Sequence, residues 1–533
     1  MKSKIYSSDL VKASSKGQFW IPCFLMIGFL FAFPVAELVM LGNWTGQEYT
    51  PDQIALLYEN FWKDGFVVTG MAVTAGAAII NGINGFWYMY SSGKIDLYHS
   101  LPVKRSGLFW HRVYTGLLYD LIPYMTMMFF SICIGAMRGF FSLRLMGLAL
   151  KMLLFHLEVY FLLYFVTILV ITMTGNILTG ILVMIGVCLY GKILGLLMEG
   201  YRHMFFSTDY DIRAWGVPKI LEEYGTSFGF LETMGKKYIE GSCMAAMGTV
   251  FLAAALVGMI AWISYEKRPA EKAGKPVIYG WLEVVLRFLV VVPGGLGTGL
   301  IFYLLPADTS GTVIWWIFGM IFGTVLFHGV MEVIYQMDFR KFFSRRLQLI
   351  LAGLLVAVCA VIYQKDLVGF DAYLPPREKL AGICLEPWSL YGEYGDLICA
   401  GEDGSFESVQ WDSSEMDLTG EHGVGEAAYE ALQEIVKTQT KGDSESLEWK
   451  YSVSVKYLLT SGKAVYRNYL LSAGQMQKVI SALMEEGTMR EKRYSFLQIP
   501  DQFLKQVNGS FANGTGRVWD NGILWRCLCI SIF

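Results

Sequence analysis

The chain is poor in charge and has none of the common catalytic motifs. Only 17% of its 533 residues are Asp, Glu, Lys or Arg, and the net charge is −3. A global basic field of the kind that holds nucleic acid is therefore missing. No G-x-x-x-x-G-K-S/T phosphate loop occurs. Gly191-Lys192 is followed by Ile193 and Gly462-Lys463 by Ala464, so neither pair offers a hydroxyl for magnesium. The chain is thus not its own ATPase by that route, and no cofactor is expected on it. H-E-x-x-H and G-x-S-x-G are absent as well, which removes the usual zinc-hydrolase and nucleophile-elbow chemistries. The nine cysteines are scattered without a C-x-x-C pair; only Cys527 and Cys529 stand close, and no metal site is expected from them.

What is present is apolar length. Hydrophobic residues make up 54% of the chain and the mean hydropathy is +0.43, a composition that belongs to polytopic membrane proteins. Using about 20 apolar residues per crossing as the ruler, about nine spans are expected. They fall near 19–41, 65–90, 113–137, 147–173, 177–198, 242–264, 281–305, 312–336 and 347–363. The first run, Phe19 to Leu41, is long enough to remain a span rather than a cleaved leader.

The segments 1–18, 91–112, 265–280 and 337–346 are basic, and with nine spans all four fall on one side. That pattern places the N-terminus in the cytoplasm of a cell membrane. The short loop with Arg138 and Arg144 is the exception. An odd number of spans puts residues 364–533 on the extracytoplasmic side. Residues 1–18, with Lys2, Lys4, Lys12 and Lys16, read either as an interfacial helix or as a basic flank.

The loop Ser91 to Arg112, SSGKIDLYHSLPVKRSGLFWHR, has an internal order that charge alone does not explain. It runs from Asp96 through Ser100-Leu101-Pro102 to a basic pair and Phe109-Trp110. Pro102 suits the first turn of a helix, with Ser100 as its cap. This stretch resembles the segment after the second span of ABC-2 type ABC-transporter permeases, where "SLPxxR" opens the helix that docks on the ATPase. The resemblance covers residues 1 to about 264. It implies a six-span permease core at 19–264 and docking through Leu101, Pro102, Lys104, Arg105 and Phe109; the three additional spans within 265–363 and the tail depart from that pattern. It also implies a partner ATPase subunit in the cytoplasm that hydrolyses ATP, a second permease subunit (identical or not), export as the direction, and short helices between the fifth and sixth spans that dip into the outer leaflet.

Ionisable residues inside spans are costly and face protein or water. Asp120 and Glu158 lie deep and are candidates for a translocation path or an interhelical network. His328 and Glu332, at i and i+4 in the eighth span, share a helix face; hydrogen bonding to each other is the simpler reading, a proton relay or metal the sharper one. Glu283 and Arg287 read as a structural pair or a snorkelling arginine. Glycines 70, 76, 82 and 85 suit the second span to close helix packing.

After Leu374-Pro375-Pro376 the composition turns mixed. Ala381 to Leu385 reads as a strand, Glu426 to Lys437 as a helix, and Trp449 to Leu459 with Ala464 to Leu471 as a hairpin turning at Ser461-Gly462. Gln475 to Glu486 reads as another amphipathic helix. The expected fold is therefore an all-α polytopic membrane protein with a small C-terminal α+β soluble domain at 364–533. That domain loosely resembles those appended to some Gram-positive permeases. Two functions of other classes stay open: an ion-coupled secondary transporter using Asp120, Glu158 or His328, and a membrane sensor or anchoring protein using the C-terminal domain.

Overall fold

The computed structural model describes residues 19–46, 49–100, 103–210, 216–306, 312–387, 397–400, 406–409, 426–440, 450–472, 475, 507–510 and 516–519. The basic segment 1–18 and nearly all of the expected helix at 475–486 lie outside these. Among the described residues nine helices are long and apolar enough to cross a membrane: α1 (Trp20–Thr45), α2 (Pro51–Tyr90), α4 (Arg105–Met137), α5 (Leu143–Met173), α6 (Ile177–Phe205), α9 (Cys243–Lys267), α10 (Gly280–Leu304), α11 (Thr312–Gln336) and α12 (Arg346–Gln364). Each overlaps an expected span, although α2 starts at Pro51 and not near 65. Their outward faces stay apolar: Leu252 on α9, Ile314 on α11 and Leu347 on α12 are more than half exposed. Such faces suit lipid, not water. The chain is a multi-pass helical membrane protein.

Local sequence explains the irregular points. Pro34 has no N–H to give, and α1 widens there into a π-turn over Phe31–Val35. The Thr69 hydroxyl of α2 donates to Ala32 O within that turn, at 3.0 Å. At its start α2 carries a reciprocal cap, with Thr50 Oγ1 accepting from Gln53 N and Gln53 Oε1 from Thr50 N. The small residues of α2 let neighbours approach: a Cβ on Gly82 would sit 2.7 Å from the Thr167 side chain of α5, while Gly76 faces open space.

The chain divides into two compact units, 1–198 with 214–356, and 199–213 with 357–533. The three additional spans are thus not a separate body up to residue 356. The first unit contains the largest buried cluster, running from Ile21 to Tyr265, and a smaller one around Val291, Met331, Tyr335 and Ala352. Between the fifth and sixth spans lie two short helices, α7 (Val217–Tyr224) and α8 (Ser227–Ile239). Backbone of α7 presses on α6, where a Cβ on Gly195 would meet Pro218 O at 3.3 Å.

In the second unit β1 (Leu380–Pro387), β4 (Lys450–Leu459) and β5 (Ala464–Ser472) form an antiparallel sheet in the order β1-β4-β5. Its hairpin turns at Gly462, whose φ of 75° is open to glycine at no steric cost. Helix α13 (Glu426–Thr440) buries Leu432, Ile435 and Val436 against Val455, Tyr457 and Tyr469. Two isolated strand pairs complete the described part, β2 (Leu397–Ala400) with β3 (Phe406–Val409), and β6 (Val507–Ser510) with β7 (Gly516–Trp519).

Candidate functional site: the loop between the second and third spans

The loop holds a helix of its own, α3 (Ser92–His99), and α4 begins only at Arg105. Ser100 therefore does not cap a helix starting at Pro102. Its Oγ donates back to Leu97 O at 2.8 Å and closes the preceding helix. Leu101 and Pro102 lie outside the described residues.

Helix α3 turns Ile95 inward, where it is buried, and leaves Leu97 64% exposed. Tyr98 rests against Tyr88 at the end of α2, with ring centroids 4.5 Å apart. The Arg112 guanidinium of α4 lies over both rings, at 5.1 Å from Tyr98 and 5.8 Å from Tyr88. The Tyr88 hydroxyl meets that of Tyr265, on α9, at 2.6 Å. Span ends thus converge beneath the loop.

Arg268 fastens them. It is buried just past α9, and its guanidinium donates to Ile171 O on α5 and to Met89 O on α2, the latter at 2.7 Å. Both carbonyls belong to helix C-terminal turns, where carbonyls lack intrahelical partners and the helix dipole favours a cation. Burial pulls the Arg268 guanidinium down to about 10, still cationic at neutral pH. Arg105 extends the fastening, its Nη1 donating to Glu266 O at 3.2 Å and Arg268 O at 3.3 Å. Phe109 is fully buried between Phe86 and Tyr265. Of the five expected docking residues, then, Lys104 and Arg105 are both exposed, although the Arg105 guanidinium bonds back to Glu266 O and Arg268 O, and Phe109 is buried in the protein itself. The outward face carries Lys94, Leu97, Val103 and Lys104. Sequence reasoning missed Arg268 as an anchor; its position directly after an apolar run was the available signal.

The intramembrane candidates separate. Asp120 is joined to His156, with Oδ2 and Nε2 2.7 Å apart, and His156 Nδ1 reaches Thr74 Oγ1 at 2.7 Å. Glu158 is outside this group, half-buried, with Oε2 lacking a hydrogen-bond partner.

His328 and Glu332 do not bond each other. Both turn to Ser344, His328 Nε2 to its carbonyl at 3.1 Å and Glu332 to its hydroxyl. Because a carbonyl only accepts, His328 carries its proton on Nε2. Glu332 also pairs with Arg287 at 2.5 Å, and Glu283 bridges Arg287 (3.2 Å) and Arg345 (2.5 Å). Arg287 is fully buried, so it does not snorkel; two carboxylates and two guanidiniums close a neutral quartet.

Comparison with protein-family models, with curated proteins and with solved structures finds no match to this chain.

Proposed function

We propose that the chain is the membrane-spanning permease subunit of an ATP-driven ABC transporter, working as an exporter and coupled through residues 91–112 to a separate cytoplasmic ATPase. The observation that carries the reading is the rigid seating of that loop. A coupling element must transmit force to the spans, and here α3 and the start of α4 are fastened by Arg268, Arg105 and packed aromatics to the ends of α2, α5 and α9. Its free face offers short apolar and cationic side chains suited to a groove in a soluble partner.

Counted through nine crossings, the basic segments 265–280 and 337–346 fall on the same side as α3 and the Arg138–Arg144 loop on the other, a balance that supports a cytoplasmic N-terminus. Nine crossings then put the second unit's sheet on the opposite side. A second permease subunit would complete the path, as in the permeases that the loop resembles.

The test is affinity purification of the full chain from native membranes in mild detergent. An ATPase subunit should co-purify with the native chain and be lost with Leu97→Ala combined with Lys104→Glu, while thermal stability stays unchanged. A well-folded native chain that brings down no ATPase would overturn the reading. An ion-coupled carrier is the second reading, favoured by the fully buried Asp120–His156 pair.

A further inference from the structure

Asp120, His156 and Thr74 stand on three different spans, α4, α5 and α2, and all are buried. The His156 ring is stacked on Tyr124, with centroids 3.7 Å apart, and meets Phe29 edge-on. Its two nitrogens face two oxygens at 2.7 Å each, so hydrogen-bond accounting decides which protonation states fit.

The Thr74 hydroxyl has one proton and two acceptors within reach: Gly70 O at 2.7 Å and His156 Nδ1 at 2.7 Å. When the hydroxyl donates to Gly70 O, Nδ1 must donate to Thr74, and Nε2 donates to the carboxylate. The ring is then an imidazolium beside an anionic Asp120, and the pair is neutral overall. When the hydroxyl instead donates to Nδ1, the ring is neutral, with Nε2–H still on Asp120. The two states differ by one proton and by rotation of one hydroxyl. Both hydrogen bonds within the trio survive the change, and Gly70 O, which gives up the hydroxyl, keeps its place in the helix ladder.

We propose that Asp120, His156 and Thr74 form an intramembrane proton-binding site in which the Thr74 hydroxyl swings between Gly70 O and His156 Nδ1 as the proton leaves and returns. A cleft lined by Gly70, Thr74, Tyr124 and His156, with Phe66 and Met152, reaches the hydroxyl end of the trio. The other polar side chains around the site are tyrosines and an asparagine. Tyr124 of α4 stands near Asp120 and Tyr238 of α8, and Tyr160 of α5 stands near Asp120 and Asn81 of α2. From α1 Phe29 and Phe33 pack against Tyr124, while Glu37 further along that helix is held by Tyr58 at 2.7 Å. No Lys or Arg forms an ion pair with Asp120 among the described residues, which leaves His156 as the group that balances its charge.

The site stands independently of the ATPase reading. It is tested on the full chain in lipid nanodiscs by ring-nitrogen NMR of isotope-labelled histidine, titrated from about pH 5 to about pH 9, the range that brackets an ordinary imidazole. The chain has six histidines, and the His156 signals are assigned by their loss in His156→Gln. Native His156 should titrate reversibly between doubly and singly protonated forms.

Asp120→Asn should leave it neutral throughout, since a lone imidazolium has no counter-charge there. Thr74→Val should lower its proton affinity about tenfold, because a bond from a charged N–H is roughly twice as strong as a neutral one and its loss weighs on the charged ring. Thr74→Ser, which keeps the hydroxyl, should restore the native midpoint. A native ring that keeps one protonation state across the range overturns the proposal. So does a titration that Asp120→Asn and Thr74→Val both leave in place; a merely structural role would lower stability in these variants without moving the midpoint.

Discussion

Arg268 donates to the main-chain carbonyl of Met89 over 2.7 Å and so ties the end of the sixth span to the end of the second. A second bond to Ile171 O brings in the fourth span, and Arg105 closes on Arg268's own carbonyl. One planar guanidinium thereby holds three helix termini under the loop.

Arg268→Ala should therefore cost about 3 kcal/mol or more, since two charge-assisted bonds at roughly 1.5–3 kcal/mol each are lost from a buried site. Arg268→Lys should recover little of it, because a single ammonium lacks the fork that reaches two carbonyls at once. Thermal unfolding in detergent reads both variants; equal stability of the lysine variant and the native chain would contradict the clamp.

Phe109 and Lys104 should behave oppositely. Phe109→Ala empties a fully buried ring site between Phe86 and Tyr265 and should destabilise by about 3–5 kcal/mol. Lys104→Glu, on the exposed face, should leave the unfolding temperature unchanged and weaken only capture of the proposed ATPase subunit. A comparison of melting curves with co-purification separates the two effects.

The quartet at the start of α10 and the end of α11 gives a third expectation. Arg287→Met alone strands Glu332 without its cation in a fully buried position and should cost about 3–5 kcal/mol. Adding Glu332→Leu should return part of that loss, since a buried pair exchanged for apolar groups is often neutral. A double variant less stable than the single would count against the pairing.

A pH effect is expected in the second unit. Asp209 is buried beside Arg202 at 3.4 Å and His203 at 2.9 Å. Burial raises its carboxyl above the ordinary 3.8, although Arg202 and His203 pull it back. The folded state thus holds this proton more tightly than the unfolded one. Its contribution to stability is greatest at low pH and declines as pH rises from 3.8 through the folded value. Asp209→Asn should flatten that slope in unfolding experiments on the full chain; an unchanged slope would assign it to other groups.

Much of this organisation was legible in advance, and the residues show why. Each of the nine spans could be placed because an apolar run of sufficient length is a property of consecutive residues. The hairpin around Gly462 was legible for the same reason, its alternation and turn being local. The loop was less so. Ser100-Leu101-Pro102 carries the marks of a helix start, yet Ser100 bonds backward to Leu97, because residues 92–99 had already formed a turn that needed closing. Phe109 sits next to exposed Trp110, and only the direction of its side chain on α4 makes it core.

The sequence by itself determined the membrane class, the number and places of the apolar crossings, and the β4–β5 hairpin, since these depend on hydrophobic length, alternation and turn chemistry within short windows. The tertiary structure alone decided which polar groups meet. Thr74 lies sixteen residues before the end of α2, Asp120 fifteen after the start of α4, and His156 seventeen before the end of α5. Antiparallel neighbours bring those three to nearly one depth, and at 1.5 Å of rise per residue the differences come to about 3 Å. Which helix faces which, and with what rotation, is set by packing of Gly82 on Thr167 and Tyr124 on His156, contacts between residues far apart in the chain. For that reason Asp120 reads in the sequence as a solitary carboxylate and stands in the fold as half of a buried pair.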